Sequence, residues 1–242
     1  DKPALDDVSL DLPARSVVAV IGENGAGKST MVQLLAALLR PTAGRVLVDG
    51  IDLATIDPAE WRTRLSAVFQ DHTRPEFTVR HAIGIGDLAR LDDPRAIAGA
   101  SSRADTEHMI TRMPRGIDQQ LGSAWDEGID LSGGQWQRLA VARGLMRPTP
   151  LVLVLDEPAA SLDAAAEHAL FNRYMREARA TSRTRGTISV LVTHRFSTVR
   201  DADLILVLHD GRLVETGTHQ DLVTRDDGLY HRLYRLHADS YR

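Results

Sequence analysis

The segment formed by residues 22–29, Gly-Glu-Asn-Gly-Ala-Gly-Lys-Ser, has the residue types of a phosphate-binding loop. It follows an apolar run, residues 17–21, that predicts a buried strand, and it opens a segment that predicts a helix. Glycines let backbone N–H groups wrap phosphate oxygens, and the helix N-terminus adds the positive end of its dipole. We expect Lys28 to reach the β- and γ-phosphates and Ser29 to ligate Mg²⁺. The loop therefore predicts a nucleoside triphosphate site.

A second chemical feature is a pair of carboxylates, Asp156 and Glu157, at the end of the apolar run formed by residues 151–155. Ionised carboxylates at the end of a buried strand are costly unless a metal or a reaction uses them. Asp156 is expected to hold Mg²⁺, and Glu157 to polarise an attacking water as general base. Alone, the pair is equally consistent with an ordinary acidic turn; together with the phosphate loop, it favours hydrolysis.

Gln70 and His194 each follow a short apolar run, residues 66–69 and 190–192 respectively. In open α/β sheets, ligands bind beyond the carboxyl ends of the strands, so both side chains are expected at the edge that carries the phosphate loop. Taken singly, each is an ordinary polar residue at a strand end. The shared edge favours a role for Gln70 in sensing Mg²⁺ or the attacking water, and for His194 in hydrogen bonding to the γ-phosphate.

The run Leu-Ser-Gly-Gly-Gln, residues 131–135, opens a predicted helix that reaches Met146. Ser132 is suited to be its N-cap, which is also the purely structural interpretation. Serine and two glycines at a helix N-terminus also form a second anion-binding surface. Because the chain already has one phosphate loop, this second surface suggests that two chains close over two nucleotides, each completing the other's site.

Composition narrows the class of protein. The 242 residues are 43% apolar and 26% charged, as in ordinary globular domains, and the net charge of −4 gives no electrostatic indication of nucleic-acid binding. Without cysteine, disulfides and thiolate metal sites are excluded. No apolar run approaches the roughly 18–20 residues that span a bilayer. Among 29 basic residues the only lysines are Lys2 and Lys28, so a compact cation stands where phosphates are expected.

Strand-like and helix-like segments alternate, which predicts an α/β fold with a mainly parallel sheet flanked by helices. An N-terminal antiparallel β portion and an inserted α-helical subdomain are expected beside it. We predict one domain over residues 1–242, with its core at about 1–78 and 148–242 and the helical subdomain at about 79–147. The predicted helices cover 28–39 and 133–146, start at Asp57, Asp93, Ser102 and Asp163 (the last reaching about 181), and include a final amphipathic helix around Leu229, Leu233 and Leu236.

These motifs together resemble the nucleotide-binding domain of ATP-binding cassette (ABC) transporters, over essentially the whole chain. Residues 22–29 match Walker A, Gln70 the Q-loop, 131–135 the family signature, and 151–156 Walker B. The resemblance implies a P-loop NTPase core, ATP and Mg²⁺ as cofactors, and a head-to-tail dimer with a second ABC ATPase domain, identical or different. It implies ATP contacts at Gly22, Glu23, Asn24, Gly25, Ala26, Gly27, Lys28, Ser29 and Thr30. It also implies Mg²⁺ ligation by Ser29, Gln70 and Asp156, and catalysis by Glu157, His194 and Gln70. The signature residues that it implies contact ATP bound to the other domain (in trans) are Leu131, Ser132, Gly133, Gly134 and Gln135. The D-loop that it implies consists of Ser161, Leu162 and Asp163.

Finer features resemble the exporter branch, in particular Thr193 to Thr198 and the acidic stretch 124–128. This implies a transmembrane domain fused upstream, contacted through residues 71–80, a location at the cytoplasmic face of the cell membrane, and no nucleic-acid partner. An importer subunit and a soluble ABC ATPase remain alternatives, and the cargo is not encoded in this sequence. The family's adenine-stacking aromatic lies upstream of Walker A, whereas the first aromatic here is Trp61, so weakened ATP binding is expected.

Overall fold

The computed structural model describes residues 2–69, 73–157, 176, 178–180, 186–193 and 196–239. The chain divides into two compact units. Unit 1 comprises Asp1–Leu65, Leu151–Glu157 and Ala178–Arg242, and unit 2 comprises Ser66–Pro150 and Pro158–Glu177. Among the described residues, no helix is both long and apolar enough to cross a membrane.

A six-stranded, mostly parallel sheet forms the core of the fold, in the order β4-β5-β6-β1-β7-β8. The strand β1 is apolar, and five of its six residues are buried. It runs parallel to both neighbours, β6 and β7, and β5 runs parallel to β6. The strand β8 pairs antiparallel with β7. The strands are β1 (Val17–Gly22), β4 (Leu65–Val68), β5 (Val152–Asp156), β6 (Ile188–Val192), β7 (Leu204–His209) and β8 (Arg212–Gly217). The predicted fold class is confirmed.

The helix α1 (Lys28–Leu35) follows β1 directly and is shorter than predicted. The expected end was residue 39, but Ala37 adopts a left-handed φ of 50°. The N–H of Leu38 then donates to the Gln33 carbonyl at 2.9 Å, which closes the helix. The apolar residues after Leu35 therefore do not extend α1. The backbone turns at Ala37 instead, and this leaves Leu38 and Leu39 half exposed.

The rest of the amino-terminal part of unit 1 holds a short antiparallel pair and one helix. The strands β2 (Leu47–Val48) and β3 (Ile51–Asp52) form the pair. The helix α2 (Pro58–Thr63) begins as predicted, with the Asp57 carboxylate accepting from the N–H of Ala59 at 2.6 Å and of Glu60 at 3.2 Å.

Unit 2 is mainly helical in its described part. Its helices are α3 (Val79–Gly84), α4 (Pro94–Arg103), α5 (Glu107–Thr111) and α6 (Gly133–Gly144). The predicted start at Asp93 is confirmed, since its carboxylate accepts from the N–H groups of Arg95 and Ala96. The predicted start at Ser102 is wrong: Ser102 lies inside α4, and the chain breaks at Asp105, whose φ is 58°. The helix α6 ends at Gly144, two residues before the predicted end.

The carboxyl-terminal part of unit 1 packs three helices on the sheet: α7 (Phe196–Val199), α8 (His219–Val223) and α9 (Leu229–Asp239). Tyr230 is fully buried in a cluster with Phe196 and sheet residues that include Ile21. The rings of Phe196 and Tyr230 meet edge to face, with centroids 5.4 Å apart. The final helix is thus confirmed, with Leu229 and Leu233 packed against this cluster, whereas Leu236, predicted on the same apolar face, is 69% exposed. Of the helix predicted from Asp163 to about 181, residues 176 and 178–180 are described and helical, while Asp163 lies outside the described residues.

Candidate active site

The loop between β1 and α1 folds around the ammonium group of Lys28. Its Nζ donates to the backbone carbonyls of Gly22 at 2.7 Å and Glu23 at 2.9 Å. Lys28 is only 8% exposed, unusually little for a lysine. The strand, loop and helix thus occur in the order that the sequence predicts, and they hold one buried cation at the carboxyl end of β1.

Gly27 stands where the loop enters α1, with a left-handed φ of 99°. A Cβ on this residue would lie 2.6 Å from the Ala4 carbonyl oxygen and 2.6 Å from the Leu5 Cδ2 atom. The glycine therefore serves two purposes, because it allows the backbone turn and it leaves room for the amino-terminal segment. No motif in the sequence pointed to Ala4 or Leu5, and only their place in the folded chain identifies them as neighbours of the loop.

Electrostatics connects Lys28 with the two carboxylates. Burial lowers the pKa of Lys28, while the negative charges of Glu157 and Asp156 act in the opposite direction and raise it. These interactions bring the loop cation and the acidic pair into one electrostatic environment. A buried cation beside two carboxylates is suited to bind an anion that carries its own metal.

Strand register places the acidic pair at the same edge as the loop. Asp156 ends β5 opposite Val192 of β6, and Val20 of β1 also lies opposite Val192. The Glu157 N–H donates to the Val192 carbonyl at 3.0 Å, which fixes the turn that follows β5. Glu157 has a left-handed φ of 44°, a strained conformation of the kind that clusters at functional sites. The ends of β1, β5 and β6 therefore converge as the sequence predicts.

The chemistry of the available donors fits Mg²⁺. The Ser29 side chain is on an exposed residue at the first turn of α1, and Asp156 is a carboxylate only 4% exposed at the end of β5. Hydroxyl and carboxylate oxygens are the hard ligands that Mg²⁺ prefers, with substrate phosphates and water completing the shell. In the described part of the chain no group of three His, Cys, Asp or Glu residues forms a metal site. One hydroxyl and one carboxylate fit a Mg²⁺ ion whose other ligands are phosphate oxygens and water.

The signature run lies in unit 2 and is described there by itself. Ser132 caps α6: its hydroxyl accepts from the Gln135 N–H at 3.3 Å, and the Gln135 side chain accepts from the Ser132 N–H at 2.8 Å. This reciprocal capping box fixes the helix start while Ser132 stays exposed. Leu131, in contrast, is buried and anchors the run. An exposed N-terminus on a helix of 12 residues is thus presented on a rigid base.

Several predicted site residues fall outside the described part of the chain. They are Gln70, His194, Ser161, Leu162 and Asp163. Trp61, the first aromatic, is buried, and its Nε1–H donates to the Leu35 carbonyl at 2.8 Å. It is therefore a core residue that ties α2 to α1, and it is not positioned as a free aromatic face for a base.

Comparison with known proteins agrees with this geometry. The ABC transporter family model matches residues 5–160. An ATP-dependent lipid A-core flippase of Nitrosococcus oceani is 38% identical over 234 residues, which cover 97% of this chain and 37% of that protein. The mycobactin import ATP-binding/permease protein IrtB of Mycolicibacterium smegmatis is 40% identical over 223 residues, 92% of this chain and 37% of that protein.

Among solved structures, a bacterial Atm1-family ABC exporter with ATP bound matches with a TM-score of 0.84 and 34% identity. That match covers 97% of this chain and 39% of the exporter chain. The chain thus spans a little over a third of the length of these relatives. Taken with the loop, the acidic pair and the capped signature helix, these matches show that the chain belongs to the ABC transporter family, of which it represents the ATP-binding domain.

Proposed function

We propose that this chain is the ATPase motor of an ABC exporter, and that it hydrolyses ATP in a nucleotide sandwich formed with a second ABC ATPase domain. One observation carries the proposal: Lys28 is buried in a glycine-rich loop and coupled electrostatically to Glu157 and Asp156 at the same edge of the sheet. A cation, a metal-ligating carboxylate and a second carboxylate in one place are the parts that phosphoryl transfer requires.

Binding begins with the loop. The N–H groups of residues 22–30 surround the phosphates, and the positive end of α1 faces the same charge. The ammonium of Lys28, which rests on the carbonyls of Gly22 and Glu23, turns toward phosphate oxygens. The exchange replaces two neutral acceptors with charged ones, so the ammonium gains the attraction of an opposite charge in addition to its hydrogen bonds.

Hydrolysis depends on the two carboxylates. Ser29 and Asp156 would hold Mg²⁺, with Gln70 as a further ligand, and the ion would neutralise charge that develops on the phosphates. Glu157 accepts a proton from the attacking water. The register between β5 and β6, together with the hydrogen bond from the Glu157 N–H to the Val192 carbonyl, holds its backbone in place. His194 hydrogen-bonds the γ-phosphate in this proposal, and Ser161, Leu162 and Asp163 form the D-loop.

The signature run supplies the other half of a site. Residues 131–135 present an exposed, capped helix start, while residues 22–30 already form a phosphate loop. We propose that the signature run contacts ATP bound to the partner domain, and that the partner's run contacts ATP bound here. Copies that carry two different affinity tags decide whether the partner is identical: recovery of complexes with both tags indicates a homodimer, and its failure a heterodimer.

The transport partner is a transmembrane domain, which we propose is fused upstream and contacted through residues 71–80. The domain then works at the cytoplasmic face of the membrane. The exporter direction is supported by the flippase and Atm1-family relatives. Import is the second candidate, favoured by the name of one relative at 40% identity. Uptake or efflux of cargo by vesicles that contain the full-length protein separates the two.

The test of hydrolysis is the variant Glu157→Gln in the full-length protein. Loss of a general base lowers turnover by about 100-fold or more, whereas ATP affinity is preserved because the loop is untouched. The control is Glu60→Gln, which changes an exposed carboxylate in the first turn of α2. Unchanged turnover in Glu157→Gln would show that Glu157 is not the base.

A further inference from the structure

The carboxyl-terminal end of α6 contacts the strand that precedes Gln70. Gly144 has no side chain because β4 passes directly against it: an added Cβ would lie 2.4 Å from the Val68 Cγ2 atom. The next nearest atom, the Ala67 carbonyl oxygen, would be 3.5 Å away. The close approach therefore fixes β4, on one side of Gln70, against the helix that carries the signature run at its start.

The preceding residue of α6 contacts the chain on the other side of Gln70. The Arg143 Nε–H donates to the Ala82 carbonyl of α3 at 2.9 Å. Its Nη1 donates to the Thr73 carbonyl at 3.3 Å and to the Thr73 hydroxyl at 3.4 Å. A planar guanidinium presents its donors in a fixed fork, so these contacts set the direction of Thr73 relative to α6.

Arg143 holds this position at a cost. Burial lowers its pKa, and its Nη2 is a buried atom with no hydrogen-bond partner among the residues that the structure describes. A partly buried cation with one unsatisfied nitrogen is poorly explained by stability alone, since an apolar side chain of similar size would pack without that penalty. Its remaining contacts, to Thr73 and Ala82, point to a positioning role.

We propose that Arg143 and Gly144 are positioning residues that fix both flanks of Gln70, Val68 on one side and Thr73 on the other, to the helix that begins at Ser132. Arg143 and Gly144 are consecutive residues at the end of α6, so the same helix end contacts the chain on both sides of Gln70. Gln70 itself lies outside the described residues, so the contacts of Val68 and Thr73 carry the proposal. The proposal deepens the proposed ATPase function and rests on it.

Two other arginines provide a matched comparison. The Arg103 Nη2 donates to the Leu145 carbonyl at 2.5 Å, and Arg90 donates to the Met146 carbonyl. Both therefore hold the carboxyl-terminal end of α6 through the two residues that follow Gly144. If Arg143 only supported α6, replacing Arg103 would have the same effect as replacing Arg143.

The first experiment compares Arg143→Lys with Arg103→Lys in the full-length protein. A displaced catalytic ligand costs about 10- to 100-fold in turnover. We therefore expect Arg143→Lys to lower kcat about tenfold and to raise the Mg²⁺ concentration that gives half-maximal activity, with KM for ATP within about twofold of the parent. Arg103→Lys should leave all three within about twofold. Equal losses in kcat from the two variants would overturn the proposal.

A second experiment tests whether Arg143 acts through Gln70. In a Gln70→Ala background, Arg143→Lys should cause no further loss of kcat, because the group that it positions is gone. Losses that multiply would contradict the proposal. If Glu157→Gln leaves ATP turnover unchanged, it is the proposed hydrolysis that fails, and this outcome is distinct from any result at Arg143.

A third experiment does not depend on an arginine variant folding. Gly144→Ala should lower kcat, because its Cβ displaces β4 through Val68. Adding Val68→Ala removes the nearest atom and should restore most of the lost turnover. Failure of the double variant to recover, in protein that is folded by circular dichroism, would show that this contact does not position the chain before Gln70.

Discussion

Replacing Gly27 with alanine tests how the amino-terminal segment shapes the phosphate loop. The new Cβ would lie 2.6 Å from the Ala4 carbonyl oxygen, well inside contact distance. This carbonyl is a backbone group, so it cannot rotate away as the end of a flexible side chain could. The segment is also held beyond this point: the Asp6 N–H donates to the Gly211 carbonyl at 2.8 Å, and Arg212 donates to the Asp6 carboxylate. The alanine and the segment therefore compete for one space.

The cost has two parts. A left-handed φ of 99° for an L-residue costs about 1–2 kcal/mol. Forcing a methyl group into an occupied space adds about 1–3 kcal/mol. Gly27→Ala should therefore lower the free energy of unfolding by about 2–5 kcal/mol, a large share of the stability of a typical domain.

Gly25→Ala separates the two parts. Gly25 also has a left-handed φ, 81°, but no atom lies within 4 Å of its added Cβ. This variant should lose only the backbone strain of about 1–2 kcal/mol. The assay is urea unfolding followed by circular dichroism in the absence of nucleotide. If Gly27→Ala loses no more stability than Gly25→Ala, the amino-terminal segment does not press on the loop.

Two further predictions concern the helix cap and the aromatic cluster. Ser132→Ala removes the hydroxyl that accepts from Gln135 and should cost about 1 kcal/mol in urea unfolding, whereas Ser132→Gly should cost only a few tenths. Burial, with a smaller contribution from Arg200, lowers the pKa of His219, whose Nδ1 lies 2.7 Å from the Tyr230 hydroxyl. Because the folded state binds this proton more weakly than the unfolded state, the unfolding free energy should be unaffected above about pH 6.5 and fall as the pH drops below it. His219→Gln should reduce that pH dependence, and an unchanged pH profile would contradict the assignment.

Local signals were strong for three features of the predicted site. The glycine loop, the carboxylates after β5 and the Ser132 cap each depend on a few adjacent residues whose chemistry allows few alternatives. The parallel sheet followed from apolar runs that alternate with helices, and the register between β1, β5 and β6 places the phosphate loop and the acidic pair at one edge.

Long-range contacts were not predictable in the same way. The approach of Ala4 to Gly27 joins segments separated by the whole of β1, and the contact of Arg143 with Thr73 spans 70 residues. The predictions of two helix ends were wrong for a related reason. The left-handed turns that end these helices occur at Ala37 and Asp105, and neither residue type marks a helix end as clearly as glycine does. Propensity describes single elements, and packing decides where they stop.

The central claim is that the signature run of one chain completes the nucleotide site of another. Copies of the full-length chain with Ser132→Arg and with Lys28→Ala are given different tags, and complexes that carry both are purified. Each such dimer would contain one site with both halves intact, so ATP turnover should reach about half of the parent value, although either variant alone is inactive. If the doubly tagged complex hydrolyses ATP no faster than the single variants, each site is built within one chain and the account is contradicted.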